Sequence, residues 1–344
     1  MRIKKKKYDS ALFKHSLMLL VLLLVLTGCS AENKENNEHT STKEAPVTVQ
    51  AAEGFSSETA SLANAPLTDV PLTETPPADT PAVRSSEPTI VKSDWSGYFD
   101  GMNGAAVIYD PDENQYMIYN QDLAETRRSP CSTFKIISSL IALENGIIEP
   151  DDSVRKWSGE TFWNENWNKD IGFQEAFRTS CVWYYRQIID EIGEDRMQAG
   201  LNELSYGNCD SSDWEGRLNT NNNNRALTGF WIESSLKISA KEQTEVMERI
   251  FGRNTHYGRD TLNRLKQVML IAGQDETGCL IYGKTGMGKD KGVVVDSWFT
   301  GFVDTQDGNR YFCVYLGRTD GKEVSSTKAK EIAASIVTEV CRDL

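Results

Sequence analysis

RRSPCSTFKIISSLIALENG, residues 127 to 146, sets a hydroxyl and an amine three residues apart, Ser132 and Lys135, at the head of an apolar stretch. An ammonium among Phe134, Ile136, Ile137 and Leu140 is costly to bury unless it is paired or gives up its proton. The stretch reads as a helix that opens at Ser132, runs to Leu143 and stops near Asn145-Gly146. Positions i and i+3 share one face of a helix, so the amine can reach the hydroxyl. Serine is a weak nucleophile without a neighbouring base, and a lysine serves as that base only where an apolar setting strips its proton. At a helix start the free N–H of Ser132 can also face a developing oxyanion. Alone, S-x-x-K is a weak signal, because an N-cap serine with a snorkelling lysine explains it more simply.

Outward from this stretch the chain is uneven. Its 344 residues, 39% hydrophobic and 25% charged, have a globular composition and enough length for a sizeable core. The N-terminus is basic, MRIKKKKYDS, and is followed by an apolar run from Leu17 to Leu26. Leu26-Thr27-Gly28-Cys29 then resembles the lipobox of bacterial lipoproteins. Residues 1–28 therefore read as a lipoprotein signal peptide, with Cys29 lipidated as the first mature residue. The competing reading is an uncleaved anchor, but that apolar run is shorter than the ~20 residues that span a bilayer. Either reading places the rest of the chain outside the cytoplasm and holds it to a membrane.

Residues 29–90, rich in Asn, Thr, Glu, Pro and Ala, cannot bury enough apolar area to offset their ordering entropy and read as a disordered tether. Residues 91–344 read as one domain. A net charge of −13 with no basic block beyond the N-terminus argues against nucleic acid as a partner. Seven cysteines without a CxxC pair, and only three histidines, argue against a zinc site. Cys279, Cys313 and Cys341 read as buried thiols, with disulfides left open for an exported chain.

Within the domain, residues 104–110 and 115–120 are short β-rich runs around the turn Pro111-Asp112-Glu113-Asn114 and predict a hairpin. Apolar spacing predicts a helical region from Ile171 to about Leu204. Ser239 with Glu242 forms a capping box ahead of AKEQTEVMERIF. Strand-like runs follow at 279–286, 297–304 and 311–317, and the last segment, TKAKEIAASIVTEVCRDL, is amphipathic. Strands at both ends of the domain with helices between them predict an α+β fold, one central antiparallel sheet flanked by helices plus a helical subdomain.

Three further motifs change the weight of Ser132 and Lys135. Ser180-Cys181-Val182 places a hydroxyl inside the helical block, where a bond to its own backbone is the plainer reading. Tyr206-Gly207-Asn208 lies between helix and loop and alone is a turn. Lys284-Thr285-Gly286 follows four β-favouring residues, and an amine and hydroxyl on a strand edge could hold a carboxylate while Gly286 lets a ligand approach the backbone. STFK, SCV, YGN and KTG, in this order, together with the run FWIESSLKISAKEQ at 230–243, resemble the serine β-lactamases and penicillin-binding proteins, and specifically the class D, or OXA-type, β-lactamases. The resemblance covers about residues 91–344.

That resemblance implies hydrolysis of β-lactam antibiotics through an acyl-enzyme on Ser132, with resistance as the outcome. It implies that Lys135 is carbamylated to N6-carboxylysine by carbon dioxide or bicarbonate, with no other cofactor and no metal, and acts as general base in acylation and deacylation. It further implies that Trp231 donates its indole N–H to the carbamate, that Val182 shields it, and that Ser180 relays a proton to the departing lactam nitrogen. Lys284 and Thr285 would bind the substrate carboxylate beside Gly286, the N–H groups of Ser132 and Met287 would form the oxyanion hole, and Tyr206, Gly207 and Asn208 would wall the pocket. Many class D enzymes carry a late arginine for the substrate carboxylate; here Lys328 takes that place, less well because an ammonium lacks the bidentate fork, with Arg318 as a second candidate. Cys131 and Cys181 should point away from the serine face into the core.

Two alternatives belong to other classes. Penicillin receptors carry similar domains that are acylated and then signal, but place several membrane helices and a protease domain ahead of the sensor. Penicillin-binding proteins act on peptidoglycan, normally bring more chain, and lack the setting of Trp231. Neither the oligomeric state nor the preference among penicillins, cephalosporins and carbapenems is legible.

Overall fold

The computed structural model describes residues 87–149, 153–218, 223–271, 279–305 and 307–342. The expected signal peptide, Cys29 and nearly all of the expected tether lie outside the described residues. Six strands form one sheet: β1 (Thr89–Lys92), β2 (Gly104–Asp110), β3 (Gln115–Tyr119), β4 (Leu280–Asp290), β5 (Val293–Thr305) and β6 (Gly308–Gly317), in spatial order β1-β3-β2-β6-β5-β4. Neighbouring pairs are antiparallel except β1 with β3, so the sheet is mixed where the sequence reading had it purely antiparallel. The extra strand is short and exposed along its length, which gave no alternating pattern to read.

The β2–β3 hairpin turns as expected: the Asp110 carboxylate accepts from the backbone N–H of Asp112 and Glu113, and Asn114 takes a left-handed φ of 48°. The β4–β5 hairpin closes through Lys291 and Gly292, both at positive φ, a tight turn whose twist matches the strands. This turn carries β4 well beyond Gly286, where the sequence reading ended it.

Alternation along β2 and β6 explains why both strands are buried on two sides. Ala106, Ile108, Phe312, Val314 and Leu316 face the C-terminal helix α7 (Ser326–Arg342), which meets them with Ala329, Ile332, Ala333, Ile336 and Val337 at helical spacing. Ala105, Val107, Cys313 and Tyr315 face the other way.

The other helices of six residues or more lie on the second face: α1 (Lys135–Glu144), α2 (Phe173–Arg178), α3 (Val182–Ile192), α4 (Glu194–Glu203), α5 (Ala240–Phe251) and α6 (Arg259–Met269). Helix α1 is buried from Lys135 to Ala142 because α3, α4 and α6 all pack against it. The capping box of α5 is present in both directions, Ser239 accepting from the Glu242 N–H at 3.2 Å and Glu242 from the Ser239 N–H at 2.9 Å. The helical region read as continuous from 171 to 204 is instead broken twice, at Ser180 with φ 58° and at Gly193 with φ 80°. Ser180 therefore sits in a kink between two helices rather than inside one.

Candidate active site

A 3-10 turn, Cys131–Phe134, delivers the chain into α1 and puts Ser132 at its mouth. Lys135 Nζ donates to Ser132 Oγ at 2.9 Å, the i to i+3 approach that the motif predicted. Lys135 is 1% exposed and has no carboxylate partner; burial pushes its pKa down from 10.5 to about 8. Its ammonium position lies 5.2 Å from the Tyr185 ring centre, and Tyr185 is fixed in turn by a 2.8 Å bond between its hydroxyl and Ser139. A proton can thus leave Lys135 near neutral pH, which is what a base for Ser132 requires.

A second hydroxyl and amine sit alongside. Lys284 on β4 donates from Nζ to Ser180 Oγ at 3.1 Å and to the Thr285 carbonyl at 3.0 Å, with Thr285 Oγ1 at 3.3 Å. Desolvation and then the charge of Lys135 hold the Lys284 pKa well below the usual lysine value. The left-handed kink is what aims Ser180 at this strand. β4 approaches the Ser132 turn closely: a Cβ at Gly286 would stand 2.9 Å from the Pro130 carbonyl and 3.0 Å from Thr133 Cγ2. Only glycine permits that contact without displacing the turn.

Trp231 is wholly buried behind the turn, stacked on Phe134 with centroids 6.1 Å apart and edge-on to Phe230 at 5.4 Å. Its carbonyl accepts from the Cys131 N–H at 3.0 Å and the Ser129 hydroxyl at 3.1 Å, tying its loop to the nucleophile turn. Its indole N–H is buried without a protein acceptor. A buried donor of this kind calls for an acceptor to arrive, and an anionic group built on Lys135 is the kind of acceptor that would satisfy it.

A cavity of about 250 Å³ opens at Ser132, walled by Val182, Met287, Trp167, Leu227 and Ile232. A larger one, about 510 Å³ beside Tyr98 and Glu339, has no serine–lysine pair in its wall, so size alone does not mark the site. Tyr206 and Asn208 do not line the Ser132 cavity. Tyr206 packs edge-on to Phe134 at 5.5 Å, and Asn208 donates to the Ser235 carbonyl and accepts from the Lys237 N–H. Gly207, at φ 55°, lies so close to the Lys237 carbonyl that a Cβ would be 2.0 Å away. The YGN motif therefore braces the loop that follows Trp231 and does not wall this cavity.

Lys328 is also misplaced by the sequence reading. It stands in the first turn of α7, pairs with Glu331 at 3.3 Å and is absent from the cavity wall; Arg318 pairs with Asp320 at 3.8 Å and faces a different cavity beside Asp296. The cation at the mouth is Lys289, whose backbone N–H donates to the Glu233 carboxylate at 2.6 Å. Lys289, Glu233, Trp163 and Trp167 were all missed; the one available signal was three tryptophans, 157, 163 and 167, in an otherwise polar stretch. Cys181 is a core residue as expected, but Cys131 contributes to the cavity wall, its Sγ turned toward Gly288. Burial raises both thiols to about 12, so neither competes as a nucleophile. The six cysteines among the described residues are free thiols, Cys313 buried and Cys279 and Cys341 only partly so. No group of three metal-ligating side chains occurs among the described residues.

The profile of the penicillin binding protein transpeptidase domain matches residues 104–338. The chain is 32% identical over 240 residues to "Probable beta-lactamase YbxI" of Bacillus subtilis, covering 70% of this chain and 81% of the relative. It is 30% identical over 246 residues to "Regulatory protein BlaR1" of Bacillus licheniformis, covering 71% of this chain but only 38% of that longer relative. Among solved structures, a class D β-lactamase from Bacillus subtilis superposes with a TM-score of 0.60 at 29% identity, covering 72% of this chain and 95% of the other.

Proposed function

Since the chain belongs to the penicillin-binding-protein transpeptidase family, within the class D β-lactamase group, we propose that it hydrolyses β-lactam rings through an acyl-enzyme on Ser132. The observation that carries this reading is the fully buried, uncharged-prone Lys135 at 2.9 Å from the serine. Ser132 Oγ attacks the lactam carbonyl and gives up its proton toward Lys135, forming the acyl bond while negative charge collects on the carbonyl oxygen. Backbone N–H groups of Ser132 and Met287 stabilise that charge. When the C–N bond breaks, Ser180 passes a proton to the nitrogen and is resupplied by Lys284, its donor at 3.1 Å. Lys284 and Thr285 hold the substrate carboxylate, and Lys289 at the mouth takes the place expected of Lys328.

Lys135 and Trp231 are the residues that would hold a carbamate, Lys135 through its neutral amine and Trp231 through its unmatched N–H. As N6-carboxylysine, Lys135 would supply an anionic base for both acylation and the water that releases the acyl group. Val182, on the cavity wall at the start of α3, shields this end of the pocket from bulk water.

The likeness to BlaR1 favours a second reading, a receptor that is acylated and stays acylated. Steady-state hydrolysis of a chromogenic cephalosporin by the purified protein, with and without bicarbonate, separates the two. Sustained turnover enhanced by bicarbonate is expected; release of one equivalent followed by a halt would overturn the hydrolase in favour of the receptor. The N-terminal segment is proposed as a lipoprotein signal with anchorage at Cys29 on the extracytoplasmic side of the membrane.

A further inference from the structure

Helix α3 carries a buried arginine that the chemistry above does not use. Arg186 is 7% exposed, one turn beyond Val182 and directly after Tyr185. Burying a guanidinium is expensive unless its donors are met. Here Nε donates to Asp190 at 3.1 Å, Nη2 donates to the other oxygen of the same carboxylate, and Nη1 donates to the Trp214 carbonyl at 2.8 Å. The pairing carboxylate is itself half-exposed, so its charge is softened by water while the guanidinium stays inside. What the guanidinium faces are two indoles: its carbon lies 5.4 Å from the Trp214 ring and 5.6 Å from the Trp231 ring. Trp214 stacks on Phe230 at 5.3 Å, and Phe230 stands edge-on to Trp231, which closes the packing around the arginine.

The Trp231 indole, unlike its backbone carbonyl, has no polar tether of its own. With its N–H unmatched by protein, the ring plane is set by packing, which includes Phe134, Phe230, the backbone at Gly229, where a Cβ would come within 1.9 Å of the ring, and Arg186. Of these, only Arg186 is both anchored by hydrogen bonds and charged. A cation over an indole face is attracted to the ring quadrupole and draws electron density from it, which makes the N–H a better donor to an anion. We propose that Arg186 is a positioning residue, which fixes the Trp231 ring and polarises its N–H so that a carbamate on Lys135 is retained. This rests on the carbamate reading of Lys135 given above.

The test uses the whole protein titrated with 13C-bicarbonate, following the N6-carboxylysine carbon signal, and records hydrogen exchange of the Trp231 indole N–H in the same samples. Arg186→Met keeps the stem and removes the charge, and Arg186→Lys keeps the charge without the fork. The expected result is that Arg186→Met needs about tenfold more bicarbonate for half-occupancy and exchanges its indole proton faster, with Arg186→Lys in between. Asp190→Asn, which keeps Arg186 but loosens its fork, gives a smaller shift in the same direction and stands in should Arg186→Met not fold. A parent signal with unchanged half-occupancy in the folded variants would overturn the role of Arg186 while leaving the carbamate intact. A parent that shows no carbamate signal at saturating bicarbonate removes the reading of Lys135 and this inference with it.

Discussion

Lys135 is a lysine that the fold keeps inside at the expense of its charge, and this has a sign that can be measured. Its folded pKa, about 8, lies below the ordinary 10.5, so between those values the unfolded chain binds more protons than the folded one. Stability from this group therefore rises with pH across that window and is lost as pH falls through about 8. Lys284 acts in the same direction. Replacing Lys135 by Met in carbon-dioxide-free buffer should make the protein more stable than the parent near pH 7, and the advantage should shrink by roughly 3 kcal/mol toward pH 10. Denaturant midpoints across that range check it; a constant difference would mean that the amine is not desolvated. Lys135→Ala should fold, but lose roughly 100-fold or more in deacylation, measured by single-turnover acyl-enzyme decay. Ser132 and Lys135 were legible because both lie in one turn, as were Ser180 and Lys284 by motif. Glu233 and Lys289 were not, since they meet from distant segments and leave no local spacing to read, and Arg186 was not, because its i+4 pair with Asp190 reads as an ordinary helix pair while the two indoles it faces come from other segments.

Between elements, the loop that follows Trp231 is clasped to the far end of β4 across the cavity mouth. Glu233 adopts a left-handed φ of 52°, donates its N–H to Ser129 Oγ at 2.8 Å, and accepts the Lys289 N–H at 2.6 Å just where the β4–β5 register shifts after Gly288. A glutamate in that conformation costs about 1 kcal/mol relative to glycine. Glu233→Ala loses the clasp and keeps the strain; Glu233→Gly loses the clasp and relieves it. The glycine variant should thus be the more stable of the two by about 1 kcal/mol in urea unfolding, offset in part by glycine's greater unfolded-state entropy. Both should show a raised KM for the chromogenic cephalosporin. Identical KM in variants and parent would show that the clasp does not shape the mouth. Elements with a strong local signature, the β2–β3 hairpin, the α5 capping box and the apolar stripe of α7, were read correctly. The breaks at Ser180 and Gly193 were not, because the apolar spacing runs through them unchanged while the backbone does not.

For the molecule as a whole, grouping N- and C-terminal strands into one sheet follows from their apolar runs, and the helical layer follows from the block between them. The strand order and the parallel β1 depend on pairings between distant segments, which a single sequence does not display. The described domain begins ahead of β1 and holds both hydroxyl–amine pairs. Among the described residues no helix is long and apolar enough to cross a membrane. The two proposed readings of the N-terminal segment, a lipid on Cys29 and an uncleaved apolar anchor, differ in whether the Cys29 sulfur carries the attachment. If a lipid on Cys29 is the anchor, Cys29→Ser should move the protein from the detergent phase to the aqueous phase in detergent partition of the expressing cells. Turnover per molecule should stay within about twofold, because that sulfur takes no part in the proposed reaction. If the variant stays in the detergent phase, the apolar run from Leu17 to Leu26 is itself the anchor and Cys29 is an ordinary thiol.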